Sequence, residues 1–305
     1  MKVKVINWIK TIKNYKNIRI GIVGNGYVGK ATDFLKYNVH GNDPKNIEVL
    51  IHDGDPNKSF PAGTELSNLK ECALIFVCVP TPMNSNGSCD TSIVEGVIKK
   101  LKEEAEGVPI FVRSTVPVGF CDKHGVNFLP EFLTEKNWQD DVINSKHWII
   151  GLFDEKDSDT KEIIRGFLGL VRKNSLFKNT PTIHFSSNKA AELTKSARNC
   201  FLATKVSFFN SLEKFCNIKG INYEALRELI CIDSRVGDSH TKVPGPDGKR
   251  GFGGSCFPKD LNSLIHQMSD EGLDPMVLSA ANNQNNTIDR SEKDWENLKG
   301  RAVSY

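Results

Sequence analysis

The stretch from residue 18 to residue 29 reads Ile18-Arg19-Ile20-Gly21-Ile22-Val23-Gly24-Asn25-Gly26-Tyr27-Val28-Gly29. Its first half is a short apolar run typical of a buried strand. Its second half has the G-x-G-x-x-G spacing with which a dinucleotide-binding fold begins a helix. The first glycine makes the turn, the second admits a pyrophosphate, and the third lets helix and strand pack closely. The stretch therefore predicts a Rossmann-type α/β domain whose cofactor contacts are Gly24, Gly26, Tyr27, Val28 and Gly29.

A second apolar run, residues 49–52, leads directly into an acidic residue, Asp53. Asp53 lies 24 residues beyond the last glycine, near the position where a carboxylate binds the adenosine ribose of NAD. A carboxylate there also repels the 2′-phosphate of NADP, so the sequence predicts NAD as the cofactor. The neighbouring Asp55 is an alternative for this role, and a loop carboxylate without a ligand is the simpler interpretation of either residue.

Five more apolar runs continue the sheet, at residues 74–79, 110–112, 126–129, 148–151 and 181–185. A helical pattern at 92–101 lies between the first two. Strands that alternate with helices predict a doubly wound parallel sheet, and ligands bind beyond the carboxyl ends of its strands. The connection after Asp53 is short, so we expect one element of the full fold to be reduced there. The candidate cofactor and catalytic residues at the strand ends are Pro80, Thr81, Thr115 and Glu131.

The sequence changes character near residue 188, because neither proline nor glycine occurs from there to residue 216. Apolar residues recur at helical spacing over this range, which predicts one helix roughly 40 Å long. Lys195 and Asn199 are four residues apart and therefore share a face of that helix.

Further helical patterns follow at residues 222–230 and 274–300. In the loop 238–250 between them, Lys242, Lys249 and Arg250 could hold a diphosphate, although loop lysines are usually solvated. We therefore assign residues 1–186 to a dinucleotide-binding domain of Rossmann type. Residues 187–305 are assigned to an all-helical central domain.

A cysteine follows a glycine-rich loop in the helical part, in the stretch Gly251-Phe252-Gly253-Gly254-Ser255-Cys256-Phe257-Pro258-Lys259-Asp260. An apolar helical pattern begins near Asp260, and a thiol placed at the start of a helix has its thiolate favoured. Cys256 is therefore a candidate nucleophile, although a buried cysteine after a turn is the commoner case. When a thiolate adds to a carbonyl, the oxyanion needs a cation and an amide donor side by side. Lys195 and Asn199 are the candidates for these two groups.

Composition sets further limits on function. The chain has 305 residues, 39% of them apolar, and a net charge of +3. This suits about two globular domains and makes no case for nucleic acid or a membrane as partner. The eight cysteines contain no C-x-x-C pair, so neither a metal site nor a disulfide framework is predicted. We expect a cytoplasmic protein whose residues 1–17 form an amphipathic arm on the first domain, with attachment to a membrane surface as the minor alternative.

Six motifs occur in the same order as in a known enzyme family, at residues 24–29, 79–82, 114–119, 130–133, 191–199 and 251–260. On these motifs, and most closely around Cys256 and Lys195, the chain resembles the UDP-glucose/GDP-mannose dehydrogenases over almost its whole length. The resemblance implies that the C6 alcohol of a nucleotide sugar is oxidised to a carboxylate by two successive NAD molecules. UDP-glucose is the expected substrate.

The resemblance also implies roles for individual residues. Cys256 would trap the aldehyde as a thiohemiacetal that becomes a thioester, while Lys195 and Asn199 would stabilise the oxyanions. Asp260 would orient or activate a water molecule, which Thr115 and Glu131 would hold during proton transfer. The residues expected to contact the substrate are Glu131, Lys195, Asn199, Arg235, Gly253, Cys256 and Lys259.

The chain differs from the usual members of this family in its extent. A third domain usually follows the central helices, whereas this chain ends at Tyr305. We therefore expect a compact form without that domain, and a homodimer joined through the central helices. The alternatives are the same chemistry on GDP-mannose or a UDP-N-acetylhexosamine, and a non-catalytic nucleotide-binding protein. A 3-hydroxyacid dehydrogenase is disfavoured because its hydride transfer needs no cysteine.

The hypothesis for Asp53 predicts the cofactor preference. We expect NAD to be used in strong preference to NADP, and Asp53→Ala to reduce that preference because the repelling charge is lost. Initial rates of NADH and NADPH formation over a range of cofactor concentrations measure both effects. Equal use of the two cofactors by the unmodified protein would refute the hypothesis.

Overall fold

The computed structural model describes residues 17–305, so the predicted arm lies outside the described residues except for Asn17. Two compact units are present. The first unit consists of the residues up to Pro80 together with Thr91–Lys195, and the second unit of Thr81–Asp90 together with Ser196–Tyr305. The predicted domain boundary between residues 186 and 187 stays a prediction.

The first unit is built on a seven-stranded sheet of order β2-β1-β3-β4-β5-β6-β7. The strands are β1 Ile18–Val23, β2 Ile47–His52, β3 Leu74–Val77, β4 Ile110–Val112, β5 Asn127–Phe128, β6 His147–Leu152 and β7 Thr182–Ser187. Neighbouring strands are parallel with one exception, because β5 and β6 are antiparallel. The predicted doubly wound α/β sheet is confirmed, with one antiparallel pair in an otherwise parallel sheet. The antiparallel pairing of β5 with β6 joins Phe128 to Gly151.

Nine α-helices are found in the described residues. They are α1 Tyr27–Asp33, α2 Ser92–Glu104, α3 Phe120–Lys123, α4 Trp138–Ile143, α5 Ser158–Lys173, α6 Asn188–Lys219, α7 Tyr223–Cys231, α8 Phe257–Asp270 and α9 Met276–Gln284. Only two short 3₁₀ helices, Pro56–Lys58 and Leu66–Glu71, join β2 to β3. The reduced connection expected after Asp53 is therefore present.

Apolar side chains cover both faces of the sheet. On one face Ile20, Phe76 and Phe167 belong to a buried cluster that includes residues of α5. On the other face Val77 and Val112 pack in a cluster that includes residues of α2. All four residues of β3 are buried, as a central strand covered by helices requires. These two layers hold the carboxyl ends of β1, β3 and β4 in fixed positions.

The long helix of the chain is α6, which has 32 residues and ends before Gly220 at a φ of 67°. The predicted helix at 188–216 is thus confirmed and slightly longer. The single helix expected at 274–300 is wrong, because α9 passes into a π-helical segment, Asn285–Asp289. A short 3₁₀ helix, Asp294–Asn297, follows it.

In residues 17–305 no helix combines the length and the apolar character that crossing a membrane requires. The cytoplasmic location stays a prediction. Over the same range, no three His, Cys, Asp or Glu side chains are grouped so that they could hold a metal ion.

Candidate active site

The three glycines of the loop after β1 differ in the space available for a side chain, as their predicted roles require. Gly24 has a φ of 95°, and a Cβ there would lie 2.8 Å from the Cys78 carbonyl oxygen. A Cβ on Gly29 would lie 2.0 Å from the Gly24 carbonyl oxygen, so helix and loop touch at this point. A Cβ on Gly26 would meet nothing within 4 Å. The open side of the loop is therefore at Gly26, the glycine at which the sequence predicts approach of the pyrophosphate.

The carboxylate of Asp53 is bound to this loop. Its Oδ2 accepts a hydrogen bond of 2.6 Å from the backbone N–H of Asn25, and its Oδ1 accepts one of 2.9 Å from the N–H of Asp55. Asp53 therefore fixes the glycine loop to the end of β2 in addition to any contact with a ribose. The side chain of Asp55 instead accepts from Asn57 in the next turn, which favours Asp53 for the cofactor role.

The ends of β3 and β4 are joined by a buried hydrogen bond. The hydroxyl of Ser114 donates to the Val79 carbonyl at 2.6 Å, which places Thr115 and Pro80 on tethered segments. Thr115 is half-buried, Pro80 is exposed, and Thr81 in the second unit is buried. The assignment of these three residues to the cofactor stays a prediction.

A buried ion pair joins Glu131 to Lys195 in the first unit. The Lys195 Nζ lies 2.7 Å from both the Oε1 and the carbonyl oxygen of Glu131. The Oε2 of Glu131 accepts from the N–H of Leu133 at 2.8 Å. Both side chains are almost fully buried. Removing one member of such a pair leaves an uncompensated charge and costs about 3–5 kcal/mol.

Arg113 is a buried charge that the sequence analysis did not select. It precedes Ser114, is 6% exposed, and its guanidinium lies 5.9 Å from the ring centres of both Phe76 and Trp148. Its Nε and Nη1 lack hydrogen-bond partners among residues 17–305, and it lines a small cavity together with Glu131. Burial lowers the pKa of this guanidinium, and the nearby Cys78 and Glu131 oppose that effect. The only sequence signal for Arg113 is its position directly before the Ser114-Thr115 motif.

In the second unit, Cys256 is the N-cap of α8, which begins at Phe257 rather than near Asp260. Pro258 in the first turn explains this earlier start, because its fixed φ suits the beginning of a helix. Cys256 is half-buried, and its Sγ lies 3.9 Å from the Ser255 hydroxyl. Cys256 therefore lies at the positive end of a helix dipole and close to Lys259.

Three polar side chains form a chain of contacts behind Cys256. The buried carboxylate of Asp260 accepts from Lys259 Nζ at 2.6 Å through one oxygen and from Asn199 Nδ2 at 2.5 Å through the other. Burial lowers the pKa of the Lys259 ammonium. The charge of Asp260, followed by the Cys256 and Cys89 thiols, outweighs burial, and the net effect is a raised pKa. Lys259 therefore stays a cation close to the thiol of Cys256.

The glycine-rich loop before Cys256 is held by residues that no sequence motif indicated. The buried amide of Asn285, in the π-helical segment, accepts from the N–H of Phe252 at 2.8 Å and donates to its carbonyl at 3.0 Å. The guanidinium of Arg290, bound to Asp247 and Asp294, lies against Gly253, where a Cβ would be only 2.6 Å from its Cζ. Gly253 therefore has a packing role in addition to its predicted substrate role.

Arg235 and the basic loop 238–250 were considered as contacts for the substrate. The side chain of Arg235 is 88% exposed and pairs with Asp233. Lys249 is bound to Glu292 and Asp294, and Arg250 to Glu213. The hypothesis that Lys249 and Arg250 hold a diphosphate is therefore not supported, because acidic side chains of the chain itself neutralise them.

Two segments of the chain match two domains of one known family. Residues 43–167 match the NAD binding domain of the UDP-glucose/GDP-mannose dehydrogenase family, and residues 189–287 match the central domain of the same family. The chain belongs to the UDP-glucose/GDP-mannose dehydrogenase family. The family resemblance, the Rossmann-type fold followed by a helical central domain, and NAD as the cofactor are thereby confirmed.

Individual relatives agree with this membership. The chain is 31% identical over 283 residues to a Bacillus subtilis protein with the provisional name UDP-glucose 6-dehydrogenase YtcA, covering 86% of this chain and 62% of the relative. It is 31% identical to the UDP-glucose 6-dehydrogenase of Pseudomonas aeruginosa, over 71% of this chain and 49% of the relative. The chain thus spans between about half and two thirds of these relatives.

Among solved structures, a UDP-glucose dehydrogenase from Pyrobaculum islandicum superposes with a TM-score of 0.70. The sequences are 24% identical, and the match covers 87% of this chain and 67% of the other. At that identity the likeness establishes the fold alone.

Gly26 and Gly29, at the start of α1, offer a matched pair of substitutions to alanine. We expect Gly29→Ala to destabilise the fold by several kcal/mol, because the new Cβ would meet the Gly24 carbonyl. Gly26→Ala should leave stability within about 0.5 kcal/mol and weaken NAD binding, because its Cβ would enter only the open side of the loop. Denaturant unfolding and NAD titration calorimetry measure the two effects. Unchanged NAD affinity in Gly26→Ala would contradict the assignment of the open side.

Proposed function

We propose that this chain is an NAD-dependent nucleotide-sugar 6-dehydrogenase that oxidises a C6 alcohol to a carboxylate through covalent intermediates on Cys256. The observation that carries the proposal is the placement of Cys256. It lies at the start of a 14-residue helix, beside the cationic Lys259, and next to a carboxylate that also binds Asn199. Family membership supports the reaction class.

The first unit provides the surroundings that a dinucleotide needs. Gly26 leaves the loop open to a pyrophosphate, and Asp53 stands at the end of β2, where it can accept from ribose hydroxyls. Bound NAD supplies a hydride acceptor, and conversion of an alcohol to a carboxylate consumes two of them. The residues that would hold it are Gly24, Gly26, Tyr27, Val28, Gly29, Asp53, Pro80, Thr81 and Thr115.

Cys256 explains how one site can carry out two oxidations. In the first, the C6 carbon loses a hydride and its hydroxyl loses a proton, which gives an aldehyde. The Cys256 thiolate then adds to the aldehyde carbon, and the thiohemiacetal can lose a second hydride to become a thioester. Water cleaves the thioester, which releases the carboxylate and restores the thiol. Lys259 places a positive charge beside this thiol.

Asp260 and Asn199 are proposed to serve the hydrolysis and the oxyanion. Each carboxylate oxygen of Asp260 accepts one hydrogen bond from the protein and retains capacity for another, so Asp260 can still orient a water molecule. Asn199 is held in one orientation by that carboxylate, as a preorganised donor must be. Lys195, Glu131 and Thr115 are proposed to assist through charge and proton transfer.

UDP-glucose is the substrate we propose. The two curated relatives compared above are named as UDP-glucose 6-dehydrogenases, whereas the family name includes GDP-mannose. GDP-mannose and a UDP-N-acetylhexosamine are the alternatives for the same chemistry. A panel of nucleotide sugars, with NADH counted per sugar, distinguishes them, because only the true substrate should yield two NADH at low concentration.

A non-catalytic nucleotide sensor is the rival from another class. A sensor has no use for a thiol placed at a helix start beside a buried cation and a buried carboxylate. The same argument disfavours a 3-hydroxyacid dehydrogenase, which transfers hydride without a covalent intermediate.

Substitution of Cys256 should separate the two oxidations. We expect Cys256→Ser to bind NAD normally but to lose steady formation of two NADH per sugar, because a serine hydroxyl is a far weaker nucleophile. Asp260→Asn should slow hydrolysis and accumulate a sugar adduct of Cys256, which mass spectrometry of the peptide detects.

Residual turnover in Cys256→Ala alone would not decide the question, because a hydrated aldehyde can be oxidised slowly without an adduct. Two NADH per sugar at the normal rate in Cys256→Ala would show that Cys256 is not the catalytic centre. Cys231→Ala is the matched control, because that thiol is half-buried like Cys256 and has no role in the proposed reaction, so two NADH per sugar should be retained.

We also propose that the chain forms a homodimer through α6. Phe201, Phe208 and Phe215 are spaced by seven residues and are 66%, 61% and 53% exposed. Side chains at this spacing form one stripe along a helix, and such a stripe is typical of a face that packs on a second helix.

The dimer proposal predicts a change of mass. We expect Phe208→Asp to shift the protein from dimer to monomer in size-exclusion chromatography with light scattering, because a charge would be buried in the interface. Phe153→Asp, at a phenylalanine of the first unit that is 56% exposed, is the matched control and should stay dimeric. A monomeric unmodified protein at micromolar concentration would contradict the proposal.

A further inference from the structure

A second cavity in the first unit is lined by none of the residues assigned to the cofactor or the substrate. It lies among β6, α5, β7 and the segment that joins α5 to β7, and its volume is about 470 Å³. Sites for small molecules commonly have volumes of this size. The reaction proposed above gives the cavity no role.

The floor of this cavity is apolar and partly aromatic. Trp148 and Phe177 meet edge to face, with ring centres 5.9 Å apart and planes inclined at 77°. Leu168 and Ile183 extend the apolar surface. A ligand with a flat apolar ring would pack well on this floor, because aromatic rings pack favourably in edge and offset arrangements.

The rim of the cavity is cationic. Arg165, Arg172 and Lys173 line it, and no acidic side chain does. These three cations form no ion pair with any residue between 17 and 305, and each is exposed. Cations in the last turn of a helix also stabilise the helix dipole, which accounts for Arg172 and Lys173 without a ligand. That effect does not extend to Arg165, which lies two turns earlier with its guanidinium 4.8 Å from the Phe185 ring centre.

The charge of the rim favours an anionic ligand. Guanidinium groups offer a planar pair of donors that matches phosphate oxygens, and several cations together suit a dianion.

We propose that this cavity binds an aromatic phosphate monoester, which is the chemistry of a nucleoside monophosphate. Its ring lies on Trp148 and Phe177, and its phosphate is bound by Arg172 and Lys173, with Arg165 adding a third positive charge. The site is independent of the Cys256 chemistry, so it can be tested whether or not the proposed reaction is correct.

The test is titration calorimetry of the full chain with 1-naphthyl phosphate in the presence of saturating NAD, which fills the cofactor site. We expect one bound probe per chain, and roughly tenfold or weaker binding in the double variant Arg172→Gln with Lys173→Gln, because charge-assisted hydrogen bonds are lost. The double variant Lys99→Gln with Lys100→Gln removes the same charge from exposed positions of α2 and should bind the probe normally. Inorganic phosphate and 1-naphthol alone should each bind at least about tenfold more weakly than the joined probe.

Four results would overturn the proposal. They are no binding of the probe at millimolar concentration, equal affinity for 1-naphthol, equal losses in the two double variants, and unchanged affinity in the Arg172 and Lys173 variant. Occupation of the cavity by another part of the chain would produce the first of these results. Displacement of the bound probe by AMP or UMP supports a nucleoside phosphate as the ligand, and displacement by neither overturns that assignment.

Discussion

The carboxylate of Asp260 is the contact on which the second unit depends. One oxygen accepts from Lys259 in the same helix turn, and the other accepts from Asn199 of α6. The backbone of Asp260 contributes as well, because its N–H donates to the Cys256 carbonyl at 2.9 Å and its carbonyl accepts from the Cys200 thiol. A single residue thus fixes the first turn of α8, the position of the cysteine before it, and the neighbouring face of α6. Since Asp260 and Lys259 are both largely buried, loss of either would leave an opposite charge without compensation.

The parts of the structure that the sequence predicted well are those in which a local rule decides the outcome. Gly29 is a glycine because a side chain there would collide with the carbonyl of Gly24 in the same loop, and Gly24 has a φ of 95° that favours glycine. The helix α6 follows from 29 residues without proline or glycine, and Gly220 ends it at a φ that favours glycine. Cys256 could be selected because its motif combines a glycine-rich loop, a helix start and a nucleophile in ten residues.

The parts that the sequence did not predict depend on partners distant in the chain. Asn285 lies within the helical pattern predicted for residues 274–300, and its pairing with the backbone of Phe252 is a tertiary contact that the pattern does not reveal. Lys249 and Arg250 are cations of a loop, and acidic residues from other segments neutralise them. Arg113 lies next to a recognised motif, yet its burial between Phe76 and Trp148 is a tertiary property. The antiparallel pairing of β6 with β5 is likewise a tertiary property that the apolar runs do not reveal.

Helical spacing predicted correctly that Lys195 and Asn199 lie one turn apart on α6, but the structure assigns each donor its own carboxylate. Lys195 is bound to Glu131 and Asn199 to Asp260. An oxyanion that formed near either donor would therefore meet a carboxylate already in place. For Lys195 two oxygens of Glu131 hold the ammonium. Because Lys195 is also half of a buried ion pair, a kinetic change on its removal combines the loss of that donor with the cost of an unpaired Glu131. The same carboxylates that orient these donors for chemistry also make them necessary for stability.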